Sequence, residues 1–382
     1  MPNFSGVWNL KEQIQAIAAG RWTGIPLFEL YGWGNNANGQ LGDETTSNRS
    51  SPIQIGSPNT WAQASGGTTF FAAVTTEGEL YACGRGDNGQ LGNNQNIFIS
   101  SPVQIGALTD WAQASAGSTH TACVKTDGTL WTWGAGLNGR TGHGDVIRRS
   151  SPVQVGALTN WAQVSAGGAH TACVKTDNTL WTWGDNGSGR LGLNTPQTTD
   201  LSSPVQVGAL TDWAQVSAGS NHTACVKTDG SLWTWGDGGS GQLGDGTIID
   251  RSSPVQVGAL TNWAQVSAAN SFTACVKTDG SLFTWGVGSN GRLGHNDLIS
   301  HSSPVQVGAL TNWAQVSGGS AHAACVKTDG TLFIWGEGGG GQLGDNTIID
   351  KSSPVQVGAL TNWTQASCGS NEVFAIFQSS TN

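Results

Sequence analysis

The chain has 382 residues and carries 16 Lys and Arg against 25 Asp and Glu, a formal net charge of −9. That balance, with no run of basic residues, argues against a nucleic-acid face, which needs clustered positive charge. Glycine (57) and tryptophan (18) are far above ordinary usage, and no apolar stretch approaches membrane-spanning length, so membrane insertion is not expected.

Residues 1–26 match nothing else in the chain and form an N-terminal extension. No secretory signal is apparent, because Lys11 and Glu12 interrupt any apolar stretch. Asn9 followed by Glu12 has the spacing of a capping box, and Leu10, Ile14 and Ile17 fall on one helical face before Gly20. A short amphipathic helix over residues 10–19 is predicted. With Trp8 it makes a candidate docking segment (Trp8, Leu10, Ile14, Ile17), lying either on its own domain or on a partner.

From residue 27 to residue 382 one unit recurs. Its proline falls at 52, 102, 152, 204, 254, 304 and 354, which gives seven copies at steps of 50 or 52 residues. A fixed period in this range marks a repeat architecture. Within one copy, residues 161–167, 170–176, 180–184 and 204–208 read as four short strands, by length and by β-branched or aromatic content. The second and third are joined by Asp177-Asn178, which reads Asp-Gly at 127–128, 229–230, 279–280 and 329–330 and predicts a tight type I′ hairpin. Seven units of four antiparallel strands predict an all-β, seven-bladed propeller. The Ala-, Ser- and Gly-rich first strand suits the crowded axis, and the Trp-rich third strand suits the wedge between blades. The last copy supplies only strands one and two, and residues 27–34 and 52–56 supply strands three and four. A two-plus-two blade built from both chain ends therefore closes the ring.

The chemistry-bearing residues recur with the repeat. His120, His170, His222 and His322 occupy one slot, where the other copies hold Phe70, Phe272 and Glu372; local backbone hydrogen bonding is the expected role. Five of the seven cysteines share a second-strand slot and read as small buried hydrophobes, too widely spaced for disulfides. That usage suits a reducing compartment. GxGxxG spacings such as residues 84–89 recur in β loops rather than opening a helix after a strand, so they do not indicate a dinucleotide site. No catalytic set, metal site or cofactor is expected, and loop carboxylates such as Asp245 and Asp297 read as solvated.

Copies differ most between the third and fourth strands, at residues 43–49, 93–99, 143–149, 193–201, 245–251, 295–301 and 345–351. Alternating strand direction puts these segments on one rim, the usual seat of recognition on a rigid scaffold. The candidate protein-binding residues there are Ile97, Phe98, Ile99, Arg148, Arg149, Asp250, Arg251 and His301. The 97–99 stretch stands out as apolar where its siblings read as polar.

The WGxGxxGQLG segment (33–42, 235–244), the SPVxV strand and the GxxHT turn resemble repeats of the regulator of chromosome condensation family. The resemblance covers about residues 27–377 and implies a seven-bladed propeller closed by a two-plus-two blade. Its members serve as nucleotide-exchange factors, ubiquitin ligase modules, photoreceptors and enzyme inhibitors. Residues 1–22 also resemble the start of tailed-phage structural proteins that carry such propellers. Together these imply a non-enzymatic structural or binding propeller. On this expectation it is a virion protein made in the host cytoplasm, anchored by its N-terminus, with other virion or assembly proteins as partners. The alternative is a cellular regulator of the chromosome condensation type, or a protein that inhibits an enzyme.

Overall fold

The computed structural model describes residues 27–56 and 60–379, so the predicted docking segment (Trp8, Leu10, Ile14, Ile17) lies outside the described residues. Seven four-stranded antiparallel sheets form the blades of a propeller. We number the blades 1 to 6 for residues 61–104, 111–154, 161–206, 213–256, 263–306 and 313–356. Blade 7 combines Trp363–Cys368 and Glu372–Ser379 with Leu27–Gly34 and Arg49–Gln54. In blade 3 the strands run outward as Trp161–Ala166, His170–Lys175, Leu180–Gly184 and Leu201–Gln206. Inner strands of all seven blades converge on the axis, where Ser, Gly and Ala line a small funnel. Small side chains are needed there because neighbouring backbones approach closely.

Both chain ends meet in blade 7. Leu27–Gly34 pairs along its whole length with Glu372–Ser379, from Leu27 opposite Ser379 to Gly34 opposite Glu372. Leu30, Trp33, Phe374 and Ile376 are fully or almost fully buried by that pairing. Closure leaves no free edge between first and last blade.

Two expectations about the blade need correcting. The outer strand begins at Leu201, three residues before Pro204. An outermost strand tolerates proline because no further strand needs its missing N–H. The hairpin is also not type I′: Asn178 has φ 58 and the equivalent glycines lie near 77, but Asp177 keeps a negative φ. The Asn178 N–H donates to the Lys175 carbonyl (2.9 Å) and the Lys175 N–H to the Thr179 carbonyl (3.0 Å). This is a turn followed by one left-handed residue, the three-residue hairpin. Asp177 holds it by accepting from the Thr179 N–H and hydroxyl, at 3.1 and 2.6 Å.

Side chains as well as apolar area join the blades. The Gln113 amide donates to the Val164 carbonyl (3.2 Å) and accepts from the Val164 N–H (2.9 Å), stitching neighbouring inner strands. Ser115 accepts from the Ala166 N–H at 2.9 Å. The same two contacts close the ring, from Gln365 to Ala64 and from Ser367 to Gly66. Trp183 is fully buried in the wedge and donates to the Arg140 carbonyl of the preceding blade at 3.0 Å.

Three of the four repeated histidines likewise reach across blades instead of bonding locally, whereas His322 meets Val373 where the others meet threonine and its Nε2 is unpartnered among the described residues. His120 Nε2 meets Thr171 Oγ1 at 2.8 Å, His170 meets Thr223 at 2.9 Å, and His222 meets Thr273 at 2.9 Å. Each histidine is fully buried, and burial lowers His120 to about 3 and His222 to about 4, with cationic Arg140 and Arg190 adding to the effect. The repeated lysines are sandwiched. Lys175 Nζ lies 4.6 Å from the Trp161 ring centre and 3.8 Å from that of Trp181. Burial lowers its pKa, and such cation–π contacts contribute about 0.5–1 kcal/mol at exposed sites and about 2 kcal/mol when desolvated. All seven cysteines are buried and free.

Candidate protein-interaction rim

The loop between third and outer strand opens at a glycine whose conformation only glycine adopts readily. Gly184 has φ 106, and a Cβ there would lie 2.6 Å from the Ala169 carbonyl oxygen. This tight exit lets the Asp185 N–H donate to the Ala169 carbonyl (3.0 Å), which puts the loop on the same face as the turn between strands one and two. Each loop then leans on the next blade: the Asn94 N–H donates to the Ser150 carbonyl at 2.7 Å, and the Asn194 N–H to Ser252 at 2.7 Å. The seven loops form a continuous rim. The G-A-L-T-N connections and the hairpins occupy the opposite face, joined by bonds such as Thr228 N–H to the Asp212 carbonyl (2.8 Å).

The structure separates the eight candidate rim residues. Ile97 and Phe98 are 54% and 51% exposed, and Arg148 is exposed with its guanidinium on the Asp87 carbonyl of blade 1 (2.9 Å). The other five build the frame. Ile99 is the first, half-buried residue of an outer strand, and its carbonyl accepts from the Cys83 thiol at 3.0 Å. Arg149 opens an outer strand and pairs with Asp145 at 2.9 Å, lowering that carboxyl to about 2. Asp250 caps its loop by accepting from the Gly238 N–H at 3.0 Å. Arg251 pairs with Asp245 at 2.7 Å, and His301 stacks edge-on to His295 at 5.4 Å. The expectation that Asp245 is solvated is corrected too. Its side chain is 5% exposed; burial opposes its charge, but bonds from Thr247 and Arg251 outweigh that and hold it below the usual carboxylate range.

The 97–99 stretch is not exceptional. Val146 and Ile147, Ile248 and Ile249, Leu298 and Ile299, and Ile348 and Ile349 are all 58–68% exposed on the same rim. The residue five before the proline is isoleucine in five copies (97, 147, 249, 299, 349), and Ser47 or Thr199 in blades 7 and 3. That recurrence is visible in the sequence once the loops are aligned on their prolines rather than judged by overall polarity.

A second position decides which kind of loop forms. Where the rim carries isoleucine, the loop holds Gly86, Gly136, Gly238, Gly288 or Gly338, and a Cβ there would collide with the isoleucine's carbonyl, at 2.6 Å for Gly338 and Ile349. Where the rim is polar, the same position is Asn36 or Asn186, both buried. Asn36 donates to Asp43 (2.8 Å) and the Thr45 carbonyl (3.1 Å) and accepts from the Leu41 N–H (2.9 Å). Asn186 does the same with Thr195, Pro196 and Leu191. Glycine thus admits the backbone that presents an isoleucine, whereas asparagine fills the space and pins a polar loop. The apolar rim is split into two arcs, blades 1–2 and blades 4–6. Among the described residues no three His, Cys, Asp or Glu side chains are grouped to hold a metal.

The sequence model of the RCC1-like domain matches residues 148–381, well over half of the chain. The chain belongs to the RCC1-like domain family. Models of the regulator of chromosome condensation (RCC1) repeat also match residues 29–74, 77–124 and 111–140. Human WBSCR16 superposes with a TM-score of 0.82 at 20% identity, covering 92% of this chain and 99% of that one. Prp20p from Saccharomyces cerevisiae, in a structure reported with its binding to Gsp1p and histones, gives 0.81 at 17%, covering 100% and 97%. Yeast RCC1 (Prp20) bound by Kap60 gives 0.82 at 17%, covering 100% and 94%. At these identities the likeness speaks to the fold.

Proposed function

We propose that the protein is a non-catalytic, protein-binding propeller of the regulator type, and that its third-to-outer-strand rim is the binding face. One observation carries this reading: five of seven rim loops hold an isoleucine in water, backed by a glycine that makes that presentation possible. Contiguous exposed apolar groups rimmed by polar residues mark interaction surfaces on soluble proteins. Family membership supports the same reading, because the solved relatives include propellers described with protein partners. The regulator-type alternative is therefore better supported than the virion role, which draws on residues 1–22 alone.

The test is photo-crosslinking in cells that naturally make the protein. A crosslinking residue replaces Ile299 on the rim or Leu260 on the opposite face. A discrete protein adduct from the Ile299 position, and none from Leu260, is expected. No adduct from the rim, or equal adducts from both faces, would overturn the assignment.

A further inference from the structure

The two apolar arcs differ in charge. In blades 4–6 each exposed pair has an aspartate beside it: Ile248-Ile249-Asp250, Asp297-Leu298-Ile299 and Ile348-Ile349-Asp350. Asp250, Asp297 and Asp350 form no ion pair among the described residues, whereas Asp237 and Glu337 face the buried Arg190 and Arg292. Cations of the same loops are already engaged. Arg251 pairs with Asp245, Lys351 pairs with Asp345 at 3.3 Å, and Arg292 is buried with its guanidinium on the Ser289 and Ser320 carbonyls. The blade 1–2 arc has the opposite character: Arg85 pairs with Asp87, Arg149 with Asp145, and exposed Arg148 has no carboxylate partner among the described residues.

The geometry points to the blade 4–6 arc as a docking surface for a cationic amphipathic peptide segment of a partner protein, with apolar residues on the isoleucine pairs and Lys or Arg on the free carboxylates. The inference rests on the proposed rim-binding role and gives it a partner chemistry. Charge complementarity selects this occupant. An anionic membrane surface or a nucleic acid would meet unneutralised carboxylates, whereas a segment that is apolar and basic satisfies both features. Such a segment is the helix-in-groove or strand-on-surface type of ligand that apolar anchors and complementary charge recognise.

The experiment uses the full chain and a labelled 20-residue Leu/Lys amphipathic peptide as probe, read by fluorescence anisotropy, with a Leu/Glu peptide of the same pattern as control. Two triple variants are compared, Ile249→Ser/Ile299→Ser/Ile349→Ser and Asp250→Asn/Asp297→Asn/Asp350→Asn. Asparagine keeps the side-chain oxygen that accepts from the Gly238, Ile299 and Gly338 N–H groups, so the loops stay capped while the charge is lost and only the exposed bond from the Asn290 amide to Asp350 (3.1 Å) is given up. Thermal melts confirm that both variants fold. The Leu/Lys peptide binds, the asparagine variant binds it about tenfold more weakly, as three exposed charge contacts imply, and the serine variant loses binding. Wild-type affinity falls with added salt, and Leu260→Ser/Leu310→Ser on the opposite face, where both side chains are exposed, leaves it unchanged. No binding of the Leu/Lys peptide, equal binding of the Leu/Glu peptide, or unchanged affinity in the asparagine variant overturns the cationic-partner inference. The crosslinking result at Ile299 stands or falls separately, so failure here is distinguishable from failure of the rim as a binding face.

Discussion

Replacing Glu372 by glutamine tests how the ring closes. Glu372 sits in blade 7, in the slot that holds histidine in blades 2, 3, 4 and 6, and the position equivalent to Thr171 on the following blade is Phe71. Its side chain is fully buried at the seam between the last strand of the chain and blade 1. Oε2 accepts from the Asn371 N–H at 3.1 Å, while Oε1 has no hydrogen-bond partner. Burial therefore pushes the carboxyl well above its ordinary value of 4.5, and the Asn371 N–H and nearby Gln40 offset this only in part. The folded state holds a proton that the unfolded chain releases, so the stability contribution is complete below pH 4.5 and declines as pH rises toward the folded pKa. The slope is about 1.4 kcal/mol per pH unit for one proton. Glutamine keeps the shape and removes the titration. The stability difference between Glu372→Gln and wild type should be near zero at pH 4.5, grow by at most about 1.4 kcal/mol per unit above it, and level off once pH passes the folded pKa. Urea unfolding followed by tryptophan fluorescence from pH 5 to 8 measures this, and taking the difference cancels every other titrating group. A flat difference over that range would refute the account of Glu372 as a buried neutral carboxyl.

The histidine clasps predict the opposite limb. Folded His222 titrates near 4 against an ordinary 6.5, so its contribution is present above pH 6.5 and lost as pH falls toward 4. His222→Phe, the residue that blade 5 carries naturally at this slot, should reduce the acid slope of unfolding by about 1.4 kcal/mol per unit; an unchanged slope would show that the clasp is not buried neutral. Deleting residues 363–382 removes the two inner strands of blade 7 and leaves Leu30 and Trp33 at an open edge. Aggregation on expression is expected, and a soluble, cooperatively melting truncation would contradict the two-plus-two closure.

Much of the fold can be read from the chain because one rule, repeated seven times, dictates it. The proline register, the small residues of the first strand and the tryptophans of the third each answer to a fixed place in the blade. The missing hairpin after Phe377 marks where the ends meet. What escapes sequence reading depends on the neighbouring blade. His120 looks locally self-sufficient until the next copy brings Thr171 to it, and Gln113 gives no sign that it will bridge two inner strands. Lys175 is one of five lysines at a single repeat position, and only the strand ends place it between Trp161 and Trp181. At the rim, Asp250, Arg251 and His301 are conspicuous for charge but belong to loop caps and strand entries. The exposed isoleucines are inconspicuous because aliphatic residues ordinarily belong to cores.

That last contrast bears on why the rim has its composition. Strand positions repeat from blade to blade because each meets the same neighbours, so the ring itself accounts for Trp183 and its equivalents. Nothing in the ring makes a comparable demand for Ile147, Ile249, Ile299 or Ile349, which touch water across most of their surface. Simple copying of the unit is an incomplete explanation, because the residue that follows has changed to Arg148, Asp250, Ser300 or Asp350 while the aliphatic pair stayed. In blades 3 and 7 the isoleucine and its supporting glycine are replaced together, by Thr199 with Asn186 and by Ser47 with Asn36. A loop that loses the exposed side chain also loses the space that presents it. Exposed branched aliphatics carry a standing cost in solubility. Keeping them in a coupled arrangement, on one face and over contiguous blades, needs a cause outside the propeller, and a bound partner supplies one.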